Sequence, residues 1–172
     1  MRMLKGEWLG HPLHPIFVHI PVALWPISTV CDLLSLLEAG SNLLVRLAFF
    51  CVLFALLVGA LAIPTGLVDW SGIKKEKPAW KIGLYHLSLN LTVWLMFAIS
   101  LGLRIPTFWH ASKVESAPLW LGIAANLVLM ISTYLGGLMV FDHGISVARH
   151  SKHYWRKQAE AGQANVPPEK TK

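Results

Sequence analysis

LVRLAFFCVLFALLVGALAIPTGLV, residues 44–68, runs for 25 residues with a single charge, Arg46, near its start. An α-helix rises about 1.5 Å per residue, so roughly 20 apolar residues cross a hydrocarbon core of about 30 Å. A surface helix of a soluble protein keeps a polar face, and this stretch has none. It therefore decides the class: the chain crosses a membrane. Residues 15–37, 82–103 and 118–141 meet the same test, with short polar connections between them. The sequence thus predicts an all-α fold, an integral membrane four-helix bundle running up-down-up-down with short loops. One transmembrane domain is expected over residues 1–158, followed by a disordered cytoplasmic tail, 159–172, whose composition (AEAGQANVPPEKTK) cannot build a core.

Composition agrees, with 55% hydrophobic and 14% charged residues among 172. The net charge of +6 raises nucleic acid as a partner, but the distribution of charge has a simpler cause. With four crossings, the N-terminus, the second loop and the C-terminal segment share one face, which carries twelve of the fifteen basic residues. Only Arg46, Arg104 and Lys113 fall on the other face. The positive-inside rule then predicts the cytoplasmic (inner) membrane with both termini cytoplasmic, and no nucleic-acid partner is required. The segment ARHSKHYWRKQ, 148–158, surrounds Tyr154 and Trp155 with Arg149, Lys152, Arg156 and Lys157, a pattern that predicts contact with anionic lipid. His19, Pro21 and Pro26 interrupt the first apolar run and no small-residue cleavage site follows, so the segment is read as a retained helix. Cys31 and Cys51 form no CxxC pair and read as small apolar residues.

The polar residues collect on one face of the predicted bundle. His14 and His19 open helix 1, Asp69 closes helix 2, His86 lies about a turn into helix 3, and His143 follows helix 4. Periodicity orients them. Ala55, Gly59, Ala62, Gly66 and Asp69 recur every three or four residues, as do Gly122, Ala125, Ser132 and Gly136, and such small-residue stripes mark helix contact faces. His143 continues the second stripe, and Gly83, His86 and Asn90 share a face of helix 3. A single inward site made from all four helices is expected. Asp32 points about 140° away from His19 on a straight helix and stands apart from that site. His11, His110, His150 and His153 read as loop or surface residues.

Three chemistries suit this set. Neutral imidazoles on separate helices are the usual axial ligands of haem b, which makes His19, His86 and His143 the cofactor-binding candidates. Asn90, Gly66 and Gly136 would support them, the glycines by admitting a flat macrocycle. Adding His14 and Asp69 gives a donor set for a first-row transition metal. A proton relay through the same residues needs no cofactor. Binding of haem b or a metal implies electron transfer and a redox protein partner. A noncatalytic subunit or scaffold, whose polar network only fixes helix packing, is the alternative of another class, and a small transporter or proton pathway is the third. HExxH, GxSxG, Walker A and GxGxxG motifs are all absent, which excludes the hydrolase and nucleotide-binding readings that depend on them. If the chain is an enzyme, its role is redox.

HPLHPIFVHIPVALWP, residues 11–26, together with Asp32, GLVDW at 66–70, His86 with Asn90 and the terminal FDHG at 141–144, resembles a bacterial membrane family catalogued as domain of unknown function 2231. The resemblance spans about residues 10–150. It implies a small four-helix membrane protein, and the association of some relatives with c-type cytochrome domains implies redox work. This chain has no CxxCH for covalent haem.

Overall fold

The computed structural model describes Met3, Leu4, Gly6, Trp8 and residues 11–37, 42–145 and 160–162. The predicted contacts of 148–158 with lipid, and nearly all of the predicted tail, lie outside the described residues. Four helices follow one another: α1 (Leu13–Leu37), α2 (Leu43–Ser71), α3 (Pro78–Arg104) and α4 (Ser116–Phe141). Each is long and apolar enough to cross a bilayer, and there is no strand among the described residues. The chain is an all-α four-helix membrane bundle.

The helix ends follow from local chemistry. α3 begins at Pro78, four residues ahead of the apolar run, because proline at a first helical position gives up an amide that has no helical partner anyway. Pro15 is accommodated in the first turn of α1 on the same ground. Pro21, Pro26 and Pro64 sit inside helices that continue through them, each removing the amide that the carbonyl four residues earlier would use.

α1 packs against α2 and α3 against α4, and looser α2–α3 and α1–α4 contacts close the ring. α1 and α3 therefore face one another across a diagonal. Midway along it the rings of Trp25 and Phe97 stack with centroids 4.9 Å apart and planes within 4°. Val52, Ala55, Val93 and Ala125, all fully buried, complete this dry layer. Leu57, Leu127, Met130 and Ile131 project outward, as a lipid-facing surface requires. Ala55, Gly59 and Ala62 on α2 and Gly122, Ala125 and Ser132 on α4 are buried, so the small-residue stripes are helix contact faces as their spacing predicts.

Beyond the aromatic layer, at the end carrying the α1–α2 and α3–α4 connections, Arg104 and Asp32 form a buried bidentate pair. Nη1 donates to Oδ1 at 2.8 Å and Nη2 to Oδ2 at 2.5 Å. Ser35 Oγ donates to the Asp32 carbonyl at 2.6 Å and accepts from the amide of Val114 at 3.0 Å, tying the following loop to the same place.

Candidate functional site

At the opposite end, near the α2–α3 loop, the helices part around a cavity of about 350 Å³. Val18, Val22, Leu87 and Trp94 give it apolar walls. His14, His19, Asp69, His86 and Asn90 reach it, together with the backbone at Gly66 and Gly136.

The two deeper histidines are held in the same way. His14 Nδ1 lies 2.9 Å from the carbonyl of Ala62 on α2, and His86 Nδ1 lies 2.8 Å from the carbonyl of Ser132 on α4. A carbonyl only accepts, so each Nδ1 carries the hydrogen and each neutral ring keeps its lone pair on Nε2. One turn beyond each carbonyl stands a glycine. A Cβ at Gly66 would come within 2.7 Å of His14 Cε1, and one at Gly136 within 2.9 Å of His86 Cε1. These glycines admit the imidazoles themselves, whereas the sequence reading reserved the space for a macrocycle. The two rings face each other across the diagonal with centroids 6.4 Å apart and planes at 85°.

Asn90 trims the site. Its Nδ2 has three acceptors within reach, Ser132 Oγ at 2.8 Å, the His86 carbonyl at 2.9 Å and His86 Nε2 at 3.1 Å, but only two hydrogens. One acceptor must go without, so His86 Nε2 can be released while the other two bonds are kept. Asp69 lines the same cavity.

The remaining candidates lie at the margin. His19 is exposed, and its Nδ1 bonds the carbonyl of Pro15 in its own helix. His143 is half-buried and is not among the cavity walls. Gly144 takes the left-handed conformation at φ 59°, and its amide bonds Val140 O at 3.0 Å while that of Ile145 bonds Met139 O at 2.8 Å. This turn brings Ile145 to the cavity. Among the described residues, no three His, Cys, Asp or Glu side chains gather closely enough to hold a metal ion. Sequence reasoning missed the two backbone carbonyls and the role of Ser132, whose only signal was its place in the small-residue stripe. It also missed Trp94, whose Nε1 donates to Leu56 O at 3.1 Å and closes the α2–α3 side.

Fold and site together define a multi-pass membrane bundle with a histidine-lined cavity at one end. The chain belongs to the family described as "Predicted membrane protein (DUF2231)", whose model matches residues 10–149. Neither the curated proteins nor the solved structures offer a match to it.

Proposed function

We propose that the cavity holds haem b between His14 and His86 and that the protein transfers electrons. The observation that carries this reading is the pair of imidazoles on diagonally opposed helices, each with its Nδ1 hydrogen committed to a carbonyl. Such a bond fixes ring orientation and raises the basicity of Nε2, as in most histidine ligands. A haem asks the protein for two donors, while a bare first-row ion commonly asks for three or four. The cavity volume lies within the range of cofactor sites. Bound haem would supply one-electron chemistry. The chain's own part is to orient the two imidazoles, hold their Nδ1 hydrogens and keep the walls dry. His19 is exposed at the cavity margin, where it would meet the polar edge of the ligand.

A second reading rests on a different observation: each imidazole already fills a glycine notch and bridges the two helices of its hairpin. On that reading the cluster is a structural polar network. The visible spectrum of the purified protein, oxidised and reduced, decides between them, with haemin titration of any unloaded sample. Haem binding predicts paired absorption changes that His14→Ala or His86→Ala removes from a protein of unchanged elution. A pure sample that neither absorbs nor takes up haemin leaves the network alone.

The charge split supports the cytoplasmic membrane with both termini inside, which would put the cavity on the cytoplasmic side. The basic segment at 148–158 would then attract anionic lipid, and a redox protein would exchange electrons at that face. Reporter fusions after Lys81 and at the C-terminus should both read cytoplasmic, and an external reading at either rejects the orientation.

A further inference from the structure

The three pairs that meet across the diagonal share one register. His14 and His86, Trp25 and Phe97, and Asp32 and Arg104 are each 72 residues apart. Fully buried Ser28 and Ser100 keep the same offset. Between α2 and α4 the offset is 70: Ala62 and Ser132 supply the carbonyls, Gly66 and Gly136 the notches, and Ala55 and Ala125 are both fully buried. Each half of the chain thus repeats one arrangement, a histidine on the first helix bonded to a carbonyl of the second with a glycine one turn on.

Helix geometry explains why the three diagonal contacts can coexist. From His14 to Asp32, and from His86 to Arg104, is 18 residues, or five turns and about 27 Å. Trp25 and Phe97, eleven residues along, fall within about 20° of the same line. One seam on α1 faces its counterpart on α3 through nearly the full thickness of a hydrocarbon core.

We infer that the chain is a tandem pair of one helical hairpin related by a two-fold axis along the membrane normal, and that Asp32 and Arg104 are the positioning pair that sets the His14–His86 separation. On such an axis a residue meets its own counterpart, and two like charges there would repel in a low dielectric. The repeat must break at this position, and opposite charges are the break that binds the halves together. The bidentate geometry fixes an angle as well as a distance. At the histidine end the hydrogen bonds of His14 and His86 run within each hairpin and not across the diagonal. The inference takes the cavity as the functional site, in line with the reading above.

The test uses the full chain with Cys31 and Cys51 replaced by alanine and nitroxide-labelled cysteines at Ile16 and Tyr85, exposed neighbours of the two histidines. Pulsed electron paramagnetic resonance reads the distance across the diagonal without any cofactor. The parent should give one narrow distribution. Asp32→Asn and Arg104→Gln should each widen it and shift it to longer distance, and the exchange Asp32→Arg with Arg104→Asp should restore it. Arg104→Lys keeps the charge and loses the bidentate bond, so it should widen the distribution less and serves if the other single variants fail to assemble. An unchanged distribution in the assembled single variants or in Arg104→Lys overturns the positioning role. An exchange variant that stays broad or fails to assemble overturns the two-fold equivalence. A sample without visible absorption would sink haem binding and leave these distances untouched.

Discussion

The two ends of the α1–α3 diagonal differ in where their hydrogen bonds go. At the ion-pair end the bonds run across the diagonal, from Arg104 on α3 to Asp32 on α1. At the histidine end they run sideways, from α1 to α2 and from α3 to α4, and the space between is left to the cavity. Buried polar groups are costly to leave unpaired in a membrane bundle. It satisfies them in one place by closing the diagonal and in the other by turning each half inward on itself. The closed end supplies fixed geometry and the open end supplies room for a ligand.

The largest expected effect tests the closed end. Arg104→Gln should lower stability by about 3–5 kcal/mol, because it strands a buried carboxylate, while Asp32→Leu combined with Arg104→Leu should recover most of that loss. Unfolding in mixed micelles measures both, and a single variant as stable as the parent would deny the pair its role. Next come the notches. Gly66→Ala and Gly136→Ala should each cost about 1–3 kcal/mol, since the added methyl meets an imidazole edge backed by helix. Similar losses in the two hairpins would sharpen their equivalence, and a loss in only one would break it. Asn90→Ala should cost about 1 kcal/mol, by removing the amide donor from Ser132 Oγ, yet leave His86 in place on its carbonyl. Loss of any ligand signal in that variant would mean that Asn90 touches the ligand. Lys74→Gln, on the exposed α2–α3 loop, should change neither stability nor ligand signal measurably.

Much of the fold was legible because bilayer thickness imposes a length and lipid imposes a composition. The stripes through Gly59 and Gly122 were legible too, since helix phase alone decides them. The sequence reading gathered His14, His19, Asp69, His86 and His143 with Asn90, and the cavity walls hold all of these but His143. The partners of His14 and His86 are backbone carbonyls, which every residue carries, so side-chain identity could not point to Ala62 or Ser132. Gly66 announced close approach without saying what approaches. His143 continued the phase of α4 only on the assumption that the helix continued, but α4 ends at Phe141 and the His143 amide bonds Leu138 O, five residues back. Asp32 lies five turns from His14 on the same line of α1, so about 27 Å of depth and not helix phase sets it apart from that histidine, and its pairing with Arg104 joins helices whose diagonal contact only the bundle's ring order reveals.

The stacked Trp25 and Phe97 rings lie about 16 Å along the seam from the histidines and about 10 Å from the ion pair. In electrical terms they are a dielectric placed off centre. A charge that reaches the imidazoles from the α2–α3 loop end stops short of this layer, so it crosses only part of the membrane voltage, which does about 2.3 kcal/mol of work per charge for each 100 mV traversed in full. Chemistry at the histidine end would therefore follow the compartment on its own side more closely than the potential across the membrane.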